Sequence, residues 1–462
     1  MDALPLPPDR LRRYATANLP RYTSYPTAPH FAPVAESEWR ERLATEIRPT
    51  DPLSLYLHIP FCQALCWYCG CHTAVTRNPL RLARYAAALH AEAALLAEAL
   101  PTAHGPVVAL HCGGGTPTAI GIPALAALVA DLRARFGFAP DAELAIELDP
   151  RLLDAAGAEA LAAAGFRRAS LGVQDIAPEV QARIGREQPA ELVEGAVRHL
   201  RAAGIARINC DLIYGLPGQT AAHVAASAAF VAALGADRVA VFGYAHVPWM
   251  KPHQRAIDAA ALPDALARLE QAAAAEETLR AAGYEAIGLD HFARPDDPMA
   301  EAARHPGRLR RNFQGYTTDT APVLLGLGAS AISHLPAFYA QNVSDERQWL
   351  ERVGAGRLPV ARGLALTAED LERARLIERV MCDLALDLTG VSEAVMATAA
   401  ARLAPLAGDG LVRLEQGGRW LRVTERGRRF LRHVAACFDA RLDPAVAAGA
   451  TSAPQRRHSV AV

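Results

Sequence analysis

Six apolar runs, near residues 53–59, 106–112, 143–148, 168–173, 206–213 and 238–243, recur along the chain, and each is followed by a segment whose apolar residues have helical spacing. That alternation is the pattern of βα units laid around a parallel sheet. Right-handed crossovers bring the C-terminal ends of such strands to one rim, where the active sites of βα barrels form. Six units predict an α/β fold, a partial (β/α)6 barrel. Residues that carry chemistry are then expected just past the strand ends.

Four cysteines, Cys62, Cys66, Cys69 and Cys71, crowd into the ten residues that follow the first run. The order Cys-x3-Cys-x2-Cys offers three thiolates from one loop, which can hold three irons of a cubane cluster and leave the fourth open. A structural zinc site is the alternative, although zinc usually draws two separated ligand pairs into a closed tetrahedron. Disulfides fit less well, since eight cysteines are sparse for 462 residues and no signal-peptide pattern is present. Cys112, Cys210, Cys382 and Cys437 stand among apolar neighbours and read as small buried residues.

The other strand ends carry polar residues too. Gly113-Gly114-Gly115-Thr116-Pro117-Thr118 follows the second, Glu147 and Asp149 close the third, and Gln174 and Asp175 close the fourth. Asp211 lies near the end of the fifth, and Tyr244-Ala245-His246 ends the sixth. A glycine run lets backbone approach a ligand closely, or simply makes a turn. Glu147 and Asp211 are either ordinary strand-end caps or acids that face a cationic ligand.

Composition bounds the function. At 51% hydrophobic and 21% charged residues the chain reads as an ordinary well-cored soluble protein. No apolar stretch reaches the ~20 residues of a membrane helix, so a cytoplasmic enzyme is expected, with no membrane partner. A net charge of −1 provides no global field for nucleic acid, and an anionic substrate must be met by local cations. Lys251 is the only lysine among 48 basic residues, a skew that reflects composition bias rather than function.

The cysteine loop, with the aromatic Tyr68 before its last cysteine, resembles that of radical S-adenosylmethionine (SAM) enzymes. Longer stretches are similar to the oxygen-independent coproporphyrinogen III oxidase family: Tyr56-Leu57-His58-Ile59-Pro60-Phe61-Cys62, Val75-Thr76-Arg77, Gly172-Val173-Gln174-Asp175, Arg186-Glu187-Gln188, Asp290-His291-Phe292-Ala293 and Asn312-Phe313-Gln314-Gly315-Tyr316. The likeness runs from about Arg21 to Asp439. Two departures, Cys112 where a tryptophan is common and Tyr68 for a frequent phenylalanine, remove no ligand.

The resemblance implies that Cys62, Cys66 and Cys69 bind a [4Fe–4S] cluster and that two SAM molecules sit beside it. Tyr56, Gly114, Glu147 and Ile332 would line the first, and Tyr68, Gly115, Thr116, Gln174, Arg186, Asp211 and Ala245 the second. It implies oxidative decarboxylation of the ring A and B propionates of coproporphyrinogen III to vinyl groups by a 5′-deoxyadenosyl radical, giving protoporphyrinogen IX. Tyr56 and His58 are the candidate catalytic side chains, His58 being otherwise a satisfied core histidine. A reducing partner such as flavodoxin or ferredoxin and a monomeric state are also implied, while Cys71 has no assigned role. A related group of barrel proteins keeps the loop but serves as a haem-binding chaperone; those relatives usually lack the equivalents of Cys71 and of Val75-Thr76-Arg77, both present here.

A substrate with four carboxylates calls for arginine forks, and Arg21, Arg294 and Arg311 are candidates, each equally readable as solvated. Lys251 reads as a solvent-facing loop residue, and His246 and His291 stay undecided. Residues 1–50 are expected to form an arm, extended near Arg21 to Thr27, that acts as a lid, and residues 51–355 the catalytic domain with an extension. Residues 356–445 are expected to form a mostly helical, winged-helix-like domain, with a hairpin from 411–415 and 419–423 about Gly417-Gly418. Such folds often bind DNA, but the arginines near 426–432 read better as a solvated face. Residues 446–462 are expected to be a disordered tail.

Overall fold

The computed structural model describes residues 6–442, so the tail expected over 446–462 lies outside the described residues. Close contacts gather the chain into two compact units that do not follow the chain-order segments read from the sequence. One contains residues 31–211 and 319–366; the other contains the described residues up to His30, residues 212–318 and those from Thr367 onward.

The first unit is built on a mostly parallel sheet. Leu53–Ile59, Val107–Gly114, Phe138–Leu148 and Arg168–Gln174 pair in parallel in that order, with Leu55 opposite Leu110, Leu110 opposite Leu144 and Ile146 opposite Ala169. Six of the seven residues of Leu53–Ile59 are buried, as expected of a strand covered on both faces. Helix Pro79–Ala99 supplies one cover. Asn78 caps it by accepting from the amides of Leu80 and Arg81, Pro79 starts it, and Pro101 disfavours its continuation. Its buried face, Tyr85, Leu89, Ala93 and Leu96, has helical spacing. Burying each leucine contributes about 1.5–3 kcal/mol. Helix Ile122–Phe136 adds Leu125, Leu128, Val129, Leu132 and Phe136, and ends at Gly137, whose φ of 62° favours glycine.

Two features extend the expected sheet. Val323–Leu327 pairs in parallel with Leu53–Ile59 on its other side, so the first strand is not an edge. The antiparallel strands Ile332–Leu335, Phe338–Asn342, Val360–Ala365 and Ala32–Pro33 follow outward. Gly326 is needed inside Val323–Leu327, because a Cβ there would lie 2.7 Å from the Ile332 carbonyl oxygen. The sheet is not closed into a barrel.

The second unit holds the antiparallel strands Arg238–Gly243, His291–Ala293 and Glu285–Ile287 and a largely helical C-terminal part. The expected hairpin is present as Val412–Glu415 and Trp420–Val423, and Ala385–Asp387 adds a third strand. The segment read as an arm contains two helices, Pro8–Thr16 and, in the first unit, Glu36–Glu46; residues 21–27 between them form neither helix nor strand. Leu19, Tyr22 and Tyr25 are buried in one cluster with Leu376, Phe430 and Phe438. The Tyr22 hydroxyl donates to Asp439 at 3.0 Å, and Arg432 Nε donates to the Pro20 carbonyl at 3.0 Å. The first described residues are thereby part of this unit's core. Among the described residues no helix is long and apolar enough to cross a membrane.

Glu92 fastens helix Pro79–Ala99 to the sheet extension. Its buried carboxyl accepts from the Gly328 amide at 2.7 Å, Asn342 Nδ2 at 2.6 Å and Trp349 Nε1 at 3.2 Å. Burial outweighs these donors and pushes the carboxyl from 4.5 up to about 8. Between those values the unfolded chain has released a proton that the folded chain keeps. Stability is therefore expected to fall as pH rises from about 4.5 to 8, by up to about 1.4 kcal/mol per pH unit from this group. Glu92→Ala is expected to lose that slope and about 3 kcal/mol of stability at pH 5, as three buried donors lose their acceptor; urea denaturation across pH checks both.

Candidate functional site

The cysteine loop is closed at its base by backbone. Phe61–Cys62 pairs in parallel with Ala74–Val75, the Ala74 amide donating to Pro60 at 2.7 Å and the Thr76 amide to Cys62 at 3.1 Å. Farther out, the Trp67 amide donates to the Ile184 carbonyl at 2.9 Å, and the Trp67 indole lies against Gly185, where a Cβ would come within 2.8 Å of the ring. The Cys69 amide donates to Cys66 at 3.1 Å, turning the loop between the second and third cysteines.

Each of the first two thiols meets a polar side chain. Cys62 Sγ lies 3.4 Å from Thr73 Oγ1 and receives the Thr116 hydroxyl at 3.6 Å; burial raises the thiol, and the two threonine bonds work against it. Arg186 Nη1 donates to Cys66 Sγ at 3.3 Å and its Nη2 to the Gly172 carbonyl at 2.7 Å, while Arg186 Nε is buried without a partner. Tyr68 hydrogen-bonds Cys66, and its phenol is pushed far up, first by burial. Cys71 is exposed at the edge of the group, and a hydrogen bond with Cys69 raises its thiol.

These residues fit a cluster. A cubane takes one thiolate at each of three irons, and Cys62, Cys66 and Cys69 offer three thiols from one loop. An anionic cluster is also matched by the buried guanidinium at Cys66.

Beside the loop the glycine run is zipped to it, the Gly115 amide donating to Ile59 at 2.9 Å and the Thr116 amide to Phe61 at 2.7 Å. All three glycines are needed. A Cβ would come within 2.6 Å of Glu147 at Gly113, of the His58 ring at Gly114 and of the Phe61 carbonyl at Gly115, and Gly114 has φ 109°. The run is thus more than a plain turn.

Glu147 accepts from the Gly114 amide at 3.2 Å, at the end of the neighbouring strand, and from His111 Nε2 at 3.1 Å. Burial works to raise its carboxyl, but the His111 hydrogen bond and charge and the Gly114 amide hold it below the ordinary value. Sequence reading passed over His111. Register places it opposite Tyr56, on which its ring stacks at 5.9 Å. His58 Nε2 lies 3.0 Å from the His72 carbonyl, which can only accept, so Nε2 carries the proton and Nδ1 accepts from the Tyr56 hydroxyl at 3.0 Å. Burial lowers the imidazole to about 4, leaving it neutral.

The remaining expected residues lie on other strands and turns. Gln174, at φ 68°, folds back toward Gly172 and Arg186. Asp149 accepts from Arg151 at 2.6 Å and lies 3.5 Å from Arg186. Asp211 accepts from Ser170 at 2.9 Å and Asn209 at 2.8 Å. Ile332 is half-buried in its strand. Ala245 belongs to the second unit, where its carbonyl accepts from Gln254 at 3.1 Å. In that unit Arg21 donates to Gly243, Arg311 is buried over the Tyr316 ring at 4.3 Å, and Arg294 is exposed beside Asp296. Cys112, Cys210, Cys382 and Cys437 are buried, as expected.

A family model for the radical SAM superfamily matches residues 56–231. The chain is 49% identical to the oxygen-independent coproporphyrinogen III oxidase of Bradyrhizobium diazoefficiens over 437 residues, covering 93% of this chain and 96% of that one. It is 42% identical to the protein of that name from Escherichia coli over 428 residues, 91% of this chain and 92% of the other. The solved structure of coproporphyrinogen III oxidase from Escherichia coli, a radical SAM enzyme, superposes with a TM-score of 0.86 at 41% identity, over 91% of this chain and 98% of that one.

Iron and acid-labile sulfide, measured after oxygen-free purification, are expected to fall to less than about a tenth of the parent level in Cys62→Ala, Cys66→Ala and Cys69→Ala. Cys71→Ala is expected to keep them. Equal loss in all four variants would show that Cys71 belongs to the ligand set.

Proposed function

This chain belongs to the oxygen-independent coproporphyrinogen III oxidase family of radical SAM enzymes, and we propose that it converts coproporphyrinogen III to protoporphyrinogen IX without oxygen, a step of haem biosynthesis. Superfamily membership brings a [4Fe–4S] cluster and SAM. When bound, the two together supply a primary carbon radical able to take hydrogen from an unactivated propionate carbon, which no acid, base or nucleophile among the side chains can do. Each round moves one propionate hydrogen to the radical, releases CO₂, passes one electron to an external acceptor and leaves a vinyl group, and two rounds serve the ring A and ring B propionates.

The observation that carries this reading is the backbone-closed loop that presents three cysteines beside a glycine run and a buried arginine. Cys62, Cys66 and Cys69 hold the cluster. Arg186, buried and cationic, offsets the negative charge gathered there. Glu147 stays ionised and offers a carboxylate next to backbone stripped of Cβ atoms, a fitting place for the cationic end of SAM. Tyr56 and His58 position rather than titrate: the neutral ring is fixed between a phenol and a backbone carbonyl, with no acidic proton at Nδ1.

Two SAM molecules serve the site, the first lined by Tyr56, Gly114, Glu147 and Ile332, the second by Tyr68, Gly115, Thr116, Gln174, Arg186, Asp211 and Ala245. Reduction comes from a small donor such as flavodoxin or ferredoxin. The protein works as a monomer in the cytoplasm.

Oxygen-free incubation with dithionite, SAM and coproporphyrinogen III is expected to give protoporphyrinogen IX and two CO₂ per substrate. Haem binding without turnover, or a colourless zinc protein, would overturn the proposal. Glu147→Gln is expected to keep its iron and lose at least about tenfold in kcat/KM for SAM, the size of one charged hydrogen bond.

A further inference from the structure

The second unit contains a cavity of about 70 Å³ whose wall is unusual in charge. A buried water needs about 10–15 Å³ on the same scale, so the space admits a small group such as a carboxylate with its neighbouring methylenes. Arg21, Arg268, Arg429 and Arg432 all line it, with Asp290 and Glu276 as the lining acids. Each acid is already engaged, Glu276 in part by Arg429 of the wall itself. Asp290 lies 2.7 Å from His291 Nδ1 and 4.0 Å from Arg311, and Glu276 lies 2.9 Å from Arg280 and 3.4 Å from Arg429.

Backbone holds these arginines in place. Arg21 Nη2 donates to Gly243 at 2.9 Å, Arg268 Nη2 to Tyr244 at 2.9 Å, and Arg432 to the carbonyls of Pro20 and Leu19. Four guanidinium groups against two carboxylates leave the wall net positive. The crowding shows in the cations themselves. Burial, and after it the charge of Arg21, lowers Arg432 to about 9, and burial is also the first cause lowering Arg268. Like charges held together out of water are costly unless an anion joins them. The planar forks suit a carboxylate, and Arg21, exposed at one side, leaves a way in from solvent.

We propose that this cavity is a subsite for a carboxylate group, gripped by Arg21, Arg268, Arg429 and Arg432. Two sources share that chemistry. One is a propionate arm of the tetrapyrrole substrate, which rests on the activity proposed above; the other is a free small carboxylate.

Two probes test the subsite on the full chain without turnover. Coproporphyrin III, the fluorescent oxidised tetracarboxylate, reports binding of the substrate-like molecule, and sodium propionate reports the bare group through a rise in thermal midpoint. Arg268→Gln and Arg429→Gln are each expected to weaken coproporphyrin III binding at least about tenfold, with Arg268→Lys between them and the parent. Arg429 is partly exposed, so its variant keeps the test valid if Arg268→Gln fails to fold. Lost propionate stabilisation in the variants with unchanged coproporphyrin III affinity supports the subsite with a free carboxylate as its occupant. Folded variants that match the parent with both probes overturn the proposal. Because neither probe needs catalysis, failure here is distinct from failure to make protoporphyrinogen.

Discussion

Two backbone hydrogen bonds, Ala74 to Pro60 and Thr76 to Cys62, close the loop on which the candidate chemistry depends. A free loop with three thiols would have to lose its conformational entropy each time it gathered a cluster. Here most of that loss is met during folding. The strand before the loop is buried on both faces, and the glycine run fixes the same backbone from the other side through Ile59 and Phe61. The base of the loop is thus set by the sheet.

Around that loop, burial and partners set three different electrostatic states. His58 is neutral because its surroundings disfavour the imidazolium and both nitrogens are already engaged. Glu147 is ionised despite burial because His111 and an amide face it. Arg186 stays cationic beside Asp149 and the thiol of Cys66. One small region therefore offers a fixed dipole, an anion and a cation.

Much of this was legible in the chain, and the reasons for what was not are local. Continuous apolar runs such as Leu53–Ile59 announce a doubly covered strand, and all six expected strands are present. Val323–Leu327 was missed because Gly326 near its end and Gly328 after it read as loop, although Gly326 is demanded by the close approach of Ile332. Phe138–Leu148 begins earlier than expected because Pro140, in its exposed first half, reads as a break. The helices before residue 50 were hidden by prolines, which in fact start Pro8–Thr16 rather than prevent it. In the site, the cysteines, glycines and Glu147 declare themselves by spacing. His111 does so only through strand register, and His72 acts through a carbonyl that no side-chain pattern can reveal.

The scarcity of lysine has a consequence at the arginine-lined wall. Arg432 is drawn down from 12.5 to about 9 and remains charged at neutral pH. An ammonium side chain starts lower, near 10.4, so the same burial and the same neighbouring cation would bring it closer to losing its proton. With arginine there, the charge of this wall is held more firmly against changes in acidity than a lysine would hold it.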